Sequence, residues 1–287
     1  MSGFVPEEFF YRLNWRARGA QPGSHATRTP GGSMDFRGYV PFLESPDPRR
    51  IDLRAGLRSV PRKLMVRAFY ERGAVNVYAI VDASASMRFT GAGEKHRLAA
   101  DIAASIAWSA TRNGDNFALV VCDDKARADM FSAPSHRRNL AEDIRARCLQ
   151  GSFYEGAGAS ALPLAVEHLR QKRSLVFLIS DFHLEEKLLR KTLLSLTQHD
   201  VVPLVLWDSA EYRDIPAWGW ARVRDMESGG SRSLFMRPSL ALRIKASYAE
   251  RRAGIVAMCR QAGARTPFFV EDRFCVEHLT RHLLEAC

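Results

Sequence analysis

From Val75 to Trp207 the chain alternates between short apolar runs rich in β-branched residues and longer amphipathic stretches, and this order restricts its fold more than any other feature. Val75 to Val81, Phe117 to Val121, Ser174 to Ser180 and Val201 to Trp207 have the length and composition of buried strands. Lys95 to Arg112, Arg137 to Leu149, Leu162 to Arg170 and Glu185 to Gln198 carry helical spacing. Strands taking turns with helices predict an α/β fold, a doubly wound, mostly parallel sheet with helices on both faces. Such sheets place ligands at the carboxyl ends of their strands, so the site is expected just after Val81 and Ser180.

This pattern places the main domain at residues 75–238. Ahead of it, 1–35 reads as an N-terminal arm and 36–74 as a segment packed on the domain. The Gly, Pro and Ser content of residues 20–48, without helical or alternating period, predicts irregular backbone there. Asp208 to Arg237, with Pro216, Trp218, Trp220 and Gly229-Gly230, reads as loops with a short hairpin. A C-terminal helical extension, 239–287, holds a helix over Leu240 to Gln261 with Gly263 as its C′ residue, a short strand over Pro267 to Val270 and a closing helix over Val276 to Ala286. There is no internal repeat.

The first twenty residues lack the apolar core of a secretory signal, and no apolar stretch reaches the length of a membrane span, so a soluble, cytoplasmic protein is expected. The five cysteines, Cys122, Cys148, Cys259, Cys275 and Cys287, are scattered and never form a C-x-x-C pair, which argues for reduced thiols rather than zinc or disulfides. The formal charge of +10 is concentrated early: residues 1–75 hold thirteen Lys or Arg against seven Asp or Glu. That surplus suits an acidic partner, and a plain solvated surface equally well.

After the first strand comes Asp82-Ala83-Ser84-Ala85-Ser86-Met87, where a carboxylate and two hydroxyls alternate and so face one side of an extended turn. Asp181 ends the apolar run Leu175 to Ser180 at the same expected edge, and Gly158-Ala159-Ser160-Ala161-Leu162 offers another hydroxyl where a loop enters a helix. Hard oxygen donors suit Mg2+, then Mn2+ or Ca2+, better than zinc or copper. Singly, each piece is better explained by chance or by a helix N-cap. In this order, at one sheet edge, Asp82, Ser84, Ser86, Ser160 and Asp181 point to a metal site.

These residues resemble the metal-ion-dependent adhesion site of von Willebrand A domains, D-x-S-x-S, G-x-T-x-L and a strand-terminal Asp, with Ser160 in place of the usual Thr. A narrower resemblance lies upstream, in Phe36-Arg37-Gly38-Tyr39, Pro46-Asp47-Pro48-Arg49-Arg50-Ile51-Asp52-Leu53-Arg54 and Leu64-Met65-Val66-Arg67-Ala68-Phe69. It is similar to the domain of unknown function 58 family, a von Willebrand A branch often encoded beside MoxR-type AAA+ ATPases. Tyr39, Asp47, Arg50, Ile51 and Asp52 match, while Pro46 and Leu53 stand where Gly and Trp are common. Gly114-Asp115, His199 to Pro203 and Asp208 extend the likeness over about residues 24–235. The resemblance implies adhesion rather than catalysis. The partner it implies is a MoxR-type AAA+ ATPase, with which the chain would act in chaperone-like maturation, or metal or cofactor insertion, of a client protein, methanol oxidation being one known setting. Arg49, Arg50, Arg54 and Arg58 form a basic apron that fits a partner site or bare surface charge alike.

Two other classes compete. Gly156-Ala157-Gly158 with Ala161 and a downstream Asp181 fits the glycine loop of an NAD-dependent oxidoreductase, but residues 145–152 ahead of it read as helix rather than strand. Nucleic-acid binding through the basic N-terminal segment rests on charge alone. No Ser lies in G-x-S-x-G, and Ser84 stands where a phosphatase nucleophile loop would want a second carboxylate.

Overall fold

The computed structural model describes residues 5–16, 22–137, 139–154, 156, 158–216, 218–224 and 230–285. Ala157, Gly229, Ala286 and Cys287, named above, lie outside them, as do residues 1–4 and 17–21 of the N-terminal arm. The chain forms two compact units, one of Met1–Arg12, Asn76–Arg112 and Asn116–Cys287, the other of Leu13–Val75 with Asn113–Asp115.

The smaller unit begins with strand β1, Pro22–Pro41, followed by helix α1, Leu53–Arg58, and strand β2, Met65–Gly73. β1 runs antiparallel to β2 with repeated register shifts between Pro22 and Gly38, so residues 22–41 are strand and not the irregular arm expected. Bulges break the two-residue period, which is why the composition hid the strand. Asp52 caps α1 through the Arg54 and Ala55 amides and pairs with Arg67 at 3.0 Å. Of the four apron arginines, Arg50 pairs with Asp47 at 3.0 Å and lies over the Phe69 ring, whereas Arg49, Arg54 and Arg58 are exposed.

The larger unit is built on a six-stranded sheet. In chain order its strands are β3, Asn76–Asp82; β4, Asn116–Cys122; β5, Ser132–Ser135; β6, Leu175–Ser180; β7, Asp200–Trp207; and, after the antiparallel hairpin β8, Gly219–Arg224, with β9, Ser231–Met236, the last strand β10, Phe268–Glu271. Their spatial order is β10-β7-β6-β3-β4-β5, all parallel except the edge strand β5. This is the mostly parallel α/β sheet that the alternation predicts. Parallel strands covered on both faces must be apolar throughout, which explains runs such as Leu175 to Ile179.

The helices are α2, Lys95–Arg112; α3, Leu140–Cys148; α4, Glu186–Ser195; α5, Ser209–Tyr212; α6, Pro238–Gln261; and α7, Val276–Glu285. Successive strand residues face opposite sides. Tyr78, Ile80, Val176 and Leu178 pack with Leu189 and Leu193 of α4 and with Ile255 and Cys259 of α6. On the other side Phe177 meets Phe9, whose amide donates to Ser109 of α2. The buried face of α2 is largely alanine, which lets that helix lie close to the sheet. Gly263 follows α6 with φ 71°, the left-handed C′ conformation its sequence position predicts. Leu162–His168 is a 3-10 helix rather than an α-helix, with Pro163 in its first turn. No helix of the described residues is long and apolar enough to cross a membrane.

Candidate metal centre

Parallel register decides what meets at the carboxyl edge. Val81 pairs with Ile179 and Asp82 with Cys122, so the end of β3 stands between the ends of β6 and β4. Asp82 is fully buried there. Its Oδ1 accepts the Ser84 amide at 2.9 Å and its Oδ2 accepts the Ser180 hydroxyl at 2.6 Å. The Ser84 and Ser86 hydroxyl oxygens lie 3.1 Å apart, so the alternation in Asp82-Ala83-Ser84-Ala85-Ser86 does gather three oxygen-bearing side chains.

Asp181 is also fully buried, one residue beyond β6. Its Oδ1 accepts the His183 amide at 3.0 Å, and its Oδ2 accepts the Lys95 ammonium at 3.1 Å. The turn between them is strained: Phe182 takes φ 54°, unusual for an aromatic residue. Arg251 of α6 holds that turn by donating to the Phe182 and Leu184 carbonyls at 2.6 Å each.

Ser160 is placed differently. Its hydroxyl lies 3.5 Å from the Asp124 carbonyl and the residue is exposed, with no hydrogen bond to Asp82 or Asp181. Its loop is nevertheless tied to the site, because Gly156 bridges Ser84 and the Ala161 amide donates to the Asp123 carbonyl at 3.1 Å. A Cβ at Gly156 would lie 2.3 Å from the Asp123 Cβ, so only glycine permits this approach. Gly156→Ala is therefore expected to break the Ser84 bridge and cost about 1–3 kcal/mol, read as a lower urea midpoint; an unchanged midpoint would refute the close approach. The segment ahead of Gly156 is α3 and the 3-10 turn Gly151–Tyr154, not the strand that a dinucleotide cradle needs.

Three residues that the sequence reading did not single out for the site complete its surroundings. Ser180 bridges Asp82 and the Phe182 amide. Lys95 is buried between Asp181 and Glu211, 2.6 Å from the latter. Asp208 caps α5 in a capping box with Glu211 and accepts the Ala92 and Gly93 amides at 2.9 Å, which pins the loop between the Asp82–Ser86 segment and α2. Gly91-Ala92-Gly93 ahead of a lone Lys95 was the available signal, since a loop so small invites a capping carboxylate.

The electrostatics separate the two aspartates. Burial and the neighbouring Asp181 charge push the Asp82 carboxyl up to about 6. Burial opposes ionisation of Asp181 too, but the Lys95 ammonium keeps it below the usual carboxylate range. Among the described residues no cation pairs with Asp82, and no group of three His, Cys, Asp or Glu side chains is placed to hold a metal ion by itself. A buried carboxylate beside two hydroxyls, without a counter-charge of its own, fits a hard divalent cation.

Residues 37–254 match the family described as "Protein of unknown function DUF58". No curated protein matches the sequence. Among solved structures, the chain is similar to the conserved hypothetical protein BatB from Bacteroides thetaiotaomicron (12% identity, 74% of this chain and 98% of that one, TM-score 0.45). It is similar also to an aerotolerance-related membrane protein from Bacteroides fragilis (13% identity, 74% and 98%, TM-score 0.45) and to proximal thread matrix protein 1 of the mussel byssus (14% identity, 46% and 38%, TM-score 0.35).

Proposed function

We propose, from the premise that this chain belongs to the DUF58 family, that it is a non-enzymatic protein-interaction module of von Willebrand A type whose grip on a partner depends on a divalent cation. The observation that carries the reading is Asp82, fully buried and without a cationic partner among the described residues, beside the Ser84–Ser86 hydroxyl pair. Asp82, Ser84 and Ser86 would hold Mg2+ or a similar ion, with Asp181 and the Ser160 loop beside them. The ion supplies the attraction for a carboxylate of the partner. The buried strand ends keep Asp82 fixed, and the Ser180 hydroxyl and Ser84 amide fix its carboxylate plane. The family resemblance makes a MoxR-type AAA+ ATPase the first partner to test, with maturation of a client protein as the joint task.

The test is thermal unfolding of chelator-stripped protein with and without Mg2+ at pH 8 and pH 5. Saturating Mg2+ at about a hundred times its Kd contributes roughly 2.7 kcal/mol, which raises the midpoint by about 5–10 °C at pH 8. At pH 5, about one unit below the raised Asp82 carboxyl, proton competition should weaken binding about tenfold and roughly halve the rise. A midpoint that ignores Mg2+ and Mn2+ at both pH values would remove the reading. A pull-down of the ATPase that depends on Mg2+ and fails with Asp82→Ala and Asp181→Ala would establish the partner.

A further inference from the structure

Lys95 is the first residue of α2 and its side chain is 1% exposed. A lysine is among the costliest side chains to bury, and apolar residues in its place often leave a fold as stable or more so, so structure alone gives little reason for it. Its ammonium lies 3.1 Å from Asp181 Oδ2 and 2.6 Å from Glu211 Oε1, with the Phe89 ring 5.5 Å away. Burial would lower its pKa, but the Asp181 and Glu211 charges hold it above the ordinary value, so it stays a cation. Glu211 is fixed in turn, because its Oε2 accepts the Asp208 amide at 3.2 Å. Of the two aspartates at this edge that are 0% exposed, Asp181 therefore has a built-in counter-charge and Asp82 has none among the described residues.

We propose that Lys95 is the resident cation of this site: it neutralises Asp181 and Glu211 in the ion-free protein and competes with a divalent ion for Asp181, so it sets the ion affinity. The inference rests on the divalent-ion reading above. A divalent ion at Asp82 meets an ammonium fixed on the neighbouring carboxylate, and like charges a few ångströms apart in a buried site repel strongly. Lys95 thereby keeps the edge folded without an ion and makes ion binding weaker and reversible. It is a positioning residue and touches no partner.

Calorimetric titration of the chelator-stripped full chain with Mg2+ alone tests this, using wild type, Lys95→Met and Glu211→Gln. Lys95→Met keeps the length of the side chain and removes the charge, and should bind Mg2+ at least about tenfold more tightly. Glu211→Gln keeps the capping box, leaves the ammonium less neutralised and should bind several-fold more weakly. Opposite signs are the signature, since a lysine that merely props up the loop would loosen binding in both. The Lys95→Met midpoint should also rise more with Mg2+ than that of wild type. If this variant folds only when Mg2+ is present, the proposal is upheld; if it fails to fold even then and Glu211→Gln binds like wild type, the proposal falls. Wild type that binds Mg2+ while Lys95→Met binds no more tightly overturns the role of Lys95 and leaves the divalent reading intact. Binding in Lys95→Met alone supports the competition, whereas binding in none of the three removes the divalent reading itself.

Discussion

Replacing Asp82 by Asn is expected to stabilise the ion-free protein at pH 8 and to abolish divalent binding, two effects of opposite sign from one side chain. The carboxyl is fully buried, and burial with the neighbouring Asp181 charge pushes it up to about 6 from an ordinary value of 3.8. Between these values the folded state binds the more protons, so the stability that Asp82 gives is present below the lower value and lost as pH rises through about 6. Asn has no charge to bury, and its carbonyl can still accept the Ser84 amide, although the Ser180 hydroxyl then loses its acceptor. The net gain should be about 1–3 kcal/mol at pH 8 and close to zero at pH 4, measured by urea unfolding at both. Calorimetry should show Mg2+ affinity reduced by about a hundredfold or more, because the proposed ligand carboxylate beside the Ser84–Ser86 pair has gone. A variant less stable than wild type at pH 8 would contradict the electrostatic account; one that still binds Mg2+ would contradict the assignment of Asp82.

Asp200→Ala should cause the largest loss of stability, about 3–5 kcal/mol, since it removes the carboxylate partner of a buried guanidinium. Arg265 donates to both Asp200 oxygens at 2.8 and 2.7 Å, and both side chains are nearly buried. The same guanidinium donates to the Arg12 carbonyl, and the Arg265 amide donates to Val201, so the pair ties the start of β7 to the chain entering β10. Denaturant unfolding at neutral pH measures the loss, and Asp200→Asn, which keeps one acceptor, should recover part of it. A loss under 1 kcal/mol would mean that the pair contributes no more than a surface bridge. The Asp82 edge lies at the far ends of the strands, so Mg2+ affinity of the folded fraction should not change.

The sheet was legible because a buried parallel strand has to be apolar on both faces, and so announces itself in one dimension. Val75 to Val81 and Val201 to Trp207 differ from β3 and β7 by a residue at each end or less, and α2 begins and ends where its periodicity does. β5, whose Ser-Ala-Pro-Ser is half exposed at the edge of the sheet, has no such pattern and escaped notice. β1 escaped for a related reason, since its pairing with β2 is irregular and made through the backbone. Asp82, Ser84 and Ser86 were readable as neighbours because they are neighbours in sequence. Asp181 was readable only through its position at the end of an apolar run.

By itself, then, the sequence determined the buried strands β3, β4, β6 and β7, that they run parallel, and hence that Asp82 and Asp181 end at one edge. Tertiary structure decided what each carboxylate faces there. That Asp181 receives Lys95 while Asp82 receives Ser180, that Glu211 shares the ammonium, and that Gly156 fits only against Asp123 depend on residues brought together from 86, 98, 116 and 33 positions apart respectively. Local pattern records what a residue's own strand or helix requires. It does not record the charge that another element brings to a buried carboxylate, and that charge separates the affinities of these two aspartates for protons.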